Sequence, residues 1–439
     1  MFISDFSNAF CEKNAKKLLF IRSEPLFFMK KKQSGGGNGK NPVLYYIFGS
    51  ITLFFCERKK ESMDDNMNKQ CRVQAMAGAR KIIVKAGTRL VIDRESIARL
   101  VGGIALLRQR GYQVLLVTSG AVGMGMELAG LTRRPKELAK KQALAAMGQN
   151  QLMNIYTEES AGYGMKVAQL LLTAADLRNR GRYLNVMNCI NALWEQDVLP
   201  IVNENDSVSV DELKFGDNDT LAGMLTSLTG ANLTVLLTTI DGLRSRNSDG
   251  SLGERIPLVG KLTDRIRSLA GETDNSEFSI GGMASKLRAA ALATASGAWL
   301  WIADGRIDGI MQKIIDAEDT GTIFMPEKHA VPGRKRWFGF FSRISGAVSV
   351  DEGARRAVTV KGGSLLPSGV VAVDGDFKRG DTIDICSESG VVFARGLVNF
   401  DSQDCRKITG KHSDEIHACL GSSAEAELVH RDNLILLER

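Results

Sequence analysis

The chain has 439 residues, 44% of them hydrophobic and 24% charged, which excludes a disordered or fibrous protein and leaves room for two domains with separate cores. Its net charge of +7 is concentrated at one end: residues 1–79 hold 13 Lys+Arg against 7 Asp+Glu, a net of +6, so the other 360 residues are near neutral and long-range steering of polyanions is not implied for them. Seven cysteines, odd in number and without a C-x-x-C pair, exclude a disulfide framework and a zinc ribbon and point to a reducing, cytoplasmic compartment.

Residues 1–79 read as a leader, expected to be disordered or to fall upstream of the translated start. They contain the lysine run Lys30–Lys32, a glycine-rich "SGGGNGK" and a 14-residue apolar run, Val43–Cys56. That run is shorter than the about 20 residues a membrane-crossing helix needs. The glycine stretch fails as a phosphate loop, because Ser34 stands where G-x-x-x-x-G-K requires its first glycine. "MAGARKIIVK" begins at Met76 and runs directly into a strand, so a start at Met63, Met67 or Met76 is expected.

From Lys81 the chain alternates apolar strands with amphipathic helices. "KIIVK" is followed by Ile97, Leu100, Val101, Ile104 and Leu107 at helical spacing, and then by "QVLLVTSG". "MKVAQLLLT", "VLPIVN", "LTVLLTT" and "AWLWIA" continue the series, with a further helical face at Tyr183, Val186, Met187, Ile190, Leu193 and Trp194. Near-continuous apolar strands between such helices predict a doubly wound, mainly parallel α/β sheet over residues 80–335. Residues 345–439 change to short runs with turns, "AVTVKGG", "VVAVDGDF", "DTIDICSESG", "VVFARGLVNF" and "AELVHRDNLIL", and predict a small all-β barrel.

In an open α/β sheet, ligands gather beyond the carboxyl ends of the strands. Here those ends carry "AGT", "SGAVGMG", "NENDS" and "TTIDG", and a polar span from Asn203 to Asp219 holds nine carboxylates and amides. Lys85 ends the first strand beside Gly87. Lys286 lies in the first turns of a helix that "GG" opens, where free N–H groups and the positive dipole end suit a phosphate. Taken singly, a strand-end lysine is usually solvated and a glycine-opened helix is an ordinary start. Together with the acidic span they suit phosphoryl transfer, which depends on positioning and charge stabilisation. The carboxylates could bind magnesium, grip an ammonium group or hold the lysines; Asp211 and Glu212 also read as a solvated hairpin. All four histidines (His329, His412, His417, His430) lie outside the strand series, so no Ser-His pair or zinc trio forms at the strand ends. An acceptor already ionised, such as a carboxylate, needs no general base.

"IVKAGT", "VTSGAVGMG", "VLPIVNENDSV", "FGDNDTLA" and "GGMASKLRAA", in this order and spacing, resemble the glutamate 5-kinase family of the amino acid kinase superfamily. "DEGARRAV", "GGSLLPSGV" and "VHRDN" resemble the PUA domain that many of those enzymes carry. The resemblance implies ATP- and Mg2+-dependent phosphorylation of the γ-carboxylate of L-glutamate, the first step of proline biosynthesis. It implies that Lys85 and Lys286 neutralise the transferring phosphoryl group and that Asp219 holds both. Ser119, Asp206 and Asn218 would bind glutamate, with Asn203 and Asp217 nearby. Thr238, Thr239 and the segment Ile280, Gly281, Gly282, Met283, Ala284, Ser285 and Lys286 would line the ATP site. No protein-held metal is implied. Assembly into homodimers or tetramers and feedback inhibition by proline are implied as well. Sister kinases acting on acetylglutamate, aspartate or a nucleotide monophosphate share the superfamily fold. PUA domains elsewhere bind RNA, but residues 345–439 hold 11 Lys+Arg against 15 Asp+Glu, and a net of −4 disfavours phosphate contacts. Two positions depart from the family pattern: Thr239 stands where the nucleotide strand usually ends in aspartate, and Arg89 where the first loop usually has a hydroxyl.

Overall fold

Lys81–Ala86 (β1) forms a strand because its apolar residues are buried on both sides. Ile82 and Val84 point into one hydrophobic cluster, and Ile83 into the other. This alternation is what a run without polar alternation requires. The computed structural model describes residues 66–209, 217–247, 249–270, 282–327, 335, 338–339, 342–420 and 426–437. Of the expected features, residues 1–65 of the leader, Asp211, Glu212, Ile280 and Gly281 lie outside the described residues.

The main sheet also contains Gln113–Val117 (β2), Lys166–Leu172 (β3), Val198–Glu204 (β4), Leu233–Thr238 (β5), Leu258–Val259 (β8), Trp299–Asp304 (β9) and Thr322–Phe324 (β10), in the order β3-β4-β2-β1-β5-β9-β10-β8. Arg244–Arg246 (β6) and Leu252–Arg255 (β7) form a separate two-stranded pair. The strands from β3 to β9 in that order are parallel, and β10 runs antiparallel to β9. Helices Arg94–Gln109 and Leu138–Ala161 cover one face, while Arg180–Glu195, Asn218–Thr229 and Met283–Ala295 cover the other. The connection from β1 leaves toward β2, and that from β5 leaves toward β9. The winding therefore reverses between β1 and β5, and the crevice beyond their carboxyl ends is where such a sheet binds ligands.

The expected leader reaches too far. Residues 66–78 form a helix whose Ala75 and Met76 join the core beside Ala79. Arg72 on this helix is fully buried; it pairs with Asp319 at 2.9 Å, donates to the carbonyls of Pro257, Thr320 and Gly321, and stacks over Trp301. Burial lowers its pKa to about 10 against the opposing pull of Asp319. Met67, Cys71 and Ala75 recur every fourth residue, a helical stripe that the surrounding charges obscure.

In the C-terminal region, Ile344–Val350 (β11), Val370–Gly375 (β12), Thr382–Ser387 (β13), Val392–Leu397 (β14) and Leu434–Leu436 (β15) form a mixed sheet in the order β12-β11-β13-β14-β15. The region is β-rich but not all-β. "AVTV" is not a strand: Ala357–Thr359 close the helix Glu352–Thr359, which starts because Asp351 accepts a hydrogen bond from the Ala354 N–H at 2.7 Å. Helices Ser402–Ile408 and Ser413–Leu420 follow.

Candidate active site

The helix Asn218–Thr229 starts at Asp217, whose Oδ1 accepts from the Thr220 N–H at 2.6 Å. Its first two residues, Asn218 and Asp219, point about 100° apart around the helix axis and so enter different surroundings.

Asp219 is 1% exposed and lies between two lysines: Lys85 Nζ is 2.7 Å from Oδ1, and Lys286 Nζ is 2.9 Å from Oδ2. Ser285 Oγ is 2.9 Å from Oδ2 as well. Lys85 comes from the end of β1, and Lys286 from the first turns of the helix Met283–Ala295. The two helices can bring Asp219 and Lys286 together because they touch at Gly223: a Cβ there would lie 2.9 Å from Ala289 Cα. Burial pushes the Asp219 carboxyl pKa up, but the two ammonium groups outweigh it and hold the value at about 2. One carboxylate thus keeps two cations at the mouth of the β1/β5 crevice with a local surplus of positive charge.

Asn218 turns toward a neutral network. Its Nδ2 donates among three acceptors: the Thr118 carbonyl at 2.7 Å, Ser119 Oγ at 2.8 Å and Asn203 Oδ1 at 3.0 Å. Asn203 is buried, accepts also from the Glu204 N–H at 2.9 Å, and donates to Gln149 Oε1 at 2.8 Å. Thr118 Oγ1 lies 2.7 Å from the buried Tyr156 hydroxyl, whose pKa burial raises. Beside this network is a cavity of about 290 Å³, lined by Gln149, Gln169, Glu204 and Asp206 among others, at the small end of ligand pockets.

The structure therefore brings Lys85, Lys286 and Asp219 into one cluster and joins Asn218, Asn203 and Ser119 in the other; Asp206 lines the adjoining cavity. Asp217 lies beside them, and its carboxylate caps the helix and pairs with Arg288 at 3.1 Å. Asn203 is likewise engaged by protein groups at both ends of its amide. Gln149 was not legible as a site residue, although a glutamine four residues beyond Ala145 and seven before Tyr156 on an otherwise buried helix face is a usable signal.

Thr238 ends β5 opposite Asp304 of β9. Arg306 pairs with Asp304 at 2.6 Å and donates to the Thr239 carbonyl at 2.8 Å. An acid is thus present on the neighbouring strand, but its carboxylate is engaged by Arg306. Gly282 caps the helix Met283–Ala295 without a side-chain hydrogen bond; in the turn that follows Ala284 is exposed, while Ser285 and Lys286 are buried. Arg89 is exposed on the short helix Thr88–Leu90. Among the described residues, no group of three His, Cys, Asp or Glu comes together as a metal-ligating set, and no helix is long and apolar enough to cross a membrane.

The family model described as amino acid kinase matches residues 80–304, and the PUA domain model matches residues 346–420. A glutamate 5-kinase of Syntrophus aciditrophicus is 41% identical over 374 residues, covering 84% of this chain and 97% of its own. A glutamate 5-kinase of Moorella thermoacetica is 42% identical over 378 residues, covering 84% and 99%. Among solved structures, a carbamate kinase from Giardia lamblia bound to AMP-PNP aligns with 57% of this chain and 100% of its own at a TM-score of 0.41 and 17% identity. By its kinase and PUA modules and by these near full-length relatives, the chain belongs to the glutamate 5-kinase family.

Proposed function

We propose that the protein transfers the γ-phosphoryl group of ATP to the γ-carboxylate of L-glutamate, giving L-glutamyl 5-phosphate and ADP, the first step of proline biosynthesis. The observation that carries this reading is the pair of buried lysines converging on Asp219 at the carboxyl end of β1. A carboxylate oxygen of the acceptor attacks the γ-phosphorus, and the bond from that phosphorus to the β,γ-bridging oxygen breaks. The acceptor is already ionised, so no proton has to be removed. Lys85 and Lys286 neutralise negative charge on the moving group, and Asp219 fixes their positions beforehand, so little reorganisation is needed as the reaction proceeds.

The first turn of the helix at Gly282–Ser285 suits the nucleotide's phosphates. Ser119, Asn218 and the cavity beside Asp206 suit the amino acid. Magnesium would be held by the phosphates rather than by a ligand set of the chain. Inhibition by proline and assembly into dimers or tetramers belong to the same reading.

The test is incubation with ATP, magnesium, L-glutamate and hydroxylamine. Glutamyl hydroxamate is expected. No product with glutamate, together with turnover of aspartate, acetylglutamate or a nucleotide monophosphate, would assign the site to a sister kinase.

A further inference from the structure

Gln149 takes no part in the scheme above, yet it is 6% exposed and lines the cavity beside Asp206. Its place is fixed by an unusually close helix crossing. A Cβ on Gly148 would collide with the Ala121 carbonyl, and one on Gly125 with the Leu144 carbonyl. The helix carrying Gln149 is thereby locked against the helix Ala121–Leu128, which begins directly after Ser119 and Gly120.

The amide network beside it has a definite polarity, set at two points by backbone groups. The Glu204 N–H can only donate, so the Asn203 atom 2.9 Å from it is the oxygen. The Thr118 carbonyl can only accept, so the Asn218 atom 2.7 Å from it is the nitrogen. Asn203 must then turn its Nδ2 to Gln149, which meets it with Oε1 at 2.8 Å. At the other end, Ser119 Oγ accepts from Asn218 at 2.8 Å. Its own proton is left pointing elsewhere, and no described protein group accepts it.

We propose that Gln149 is a positioning residue for the carboxylate acceptor, acting through Asn203 and Asn218 to keep the Ser119 hydroxyl as a donor to that acceptor. The inference rests on the glutamate kinase reading. Without the Gln149 oxygen, the buried Asn203 amide nitrogen loses its acceptor, and an unpartnered buried donor favours rotation. Asn203 Oδ1 then withdraws from Asn218. Asn218 keeps its Nδ2 on the Thr118 carbonyl, but its side chain, no longer braced from the Asn203 side, can tilt away from Ser119 Oγ. The Ser119 hydroxyl then loses the N–H that fixes its lone pair and is no longer held as a donor toward the substrate.

The experiment compares wild type, Gln149→Met, Gln149→Leu, Ser119→Ala and the double variant Gln149→Met/Ser119→Ala in the hydroxamate assay, with thermal midpoints measured alongside. Met has nearly the shape of Gln, so it keeps the test usable if Leu prevents folding. The Gln149 variants are expected to raise the glutamate KM about tenfold, or about 1.4 kcal/mol, with kcat and the ATP KM nearly unchanged. The double variant is expected to be no worse than Ser119→Ala, because the relay has nothing left to orient. Unchanged glutamate KM overturns the inference; so do kcat and both KM values shifting together with a lowered midpoint, and so do effects that multiply in the double variant. A wild type that makes no glutamyl hydroxamate would overturn the functional reading itself, and is distinct from a failed relay in an active enzyme.

Discussion

Two buried polar networks meet at the start of one helix, and they are built on opposite plans. Around Asp219 charge dominates: one carboxylate and two ammonium groups, each nearly excluded from water, with the Ser285 hydroxyl beside them. Around Asn218 everything is neutral: amides, a hydroxyl and backbone groups, with Asn218 donating toward Ser119, the Thr118 carbonyl and Asn203, and Asn203 donating on to Gln149. The charged network supplies a field, and a field acts on the group whose charge is redistributed during reaction. The neutral network supplies orientation, which acts on the substrate as it binds. Adjacent residues of one helix should therefore fail in different ways when altered.

The largest effect is expected at Lys286. Lys286→Ala should lower kcat by about 100- to 1,000-fold, the usual loss when one preorganised charge stabiliser is removed, while the glutamate KM stays within about threefold. Initial rates over a glutamate and ATP grid read both quantities. Near-normal kcat would mean that the lysine pair is a structural ion cluster, and the comparison would collapse. Asn218→Ala should show the reverse balance: a rise of about tenfold or more in the glutamate KM, from one lost hydrogen bond toward a charged ligand, with a smaller change in kcat. If Lys286→Ala and Asn218→Ala gave the same split, the division between field and orientation would be wrong.

How much of this was legible in the sequence follows the same division. The sheet was legible because buried parallel strands have to be apolar throughout, as in "KIIVK" and "LTVLLT". Lys85 and Lys286 stand out because ionisable groups close to glycines at strand and helix ends are chemically conspicuous, whereas Asp219 is singled out only by the family resemblance of "GDND". Gln149 was not legible, since a glutamine in a long helix reads as a solvated side chain until the crossing at Gly125 and Gly148 shows which face is closed. Asp217 carries a role that its residue type does not announce: its position, three residues before Thr220, makes it the cap of the helix. The helix at 66–78 was lost among charges, because burial of Arg72 depends on carbonyls of Pro257, Thr320 and Gly321 that are remote in sequence.

A pH series on stability separates the two networks as well. The Asp219 value of about 2 lies below the 3.8 of an unperturbed aspartate, so the folded state binds this proton less readily than the unfolded chain. Its contribution to stability is complete above about pH 4 and is lost as pH falls toward 2. At neutral pH, Asp219→Asn leaves two buried ammonium groups without their counter-ion and should destabilise the protein by about 3–5 kcal/mol. Urea midpoints of wild type and Asp219→Asn, compared from pH 7 down to pH 2, should therefore draw together only at the acid end. The relay holds no carboxylate in its chain of amides, so the corresponding gap for Asn218→Ala should keep its size over the same range. A gap for Asn218→Ala that closed in parallel with that of Asp219→Asn would show that the two networks titrate as one, and that the helix start does not separate charge from orientation.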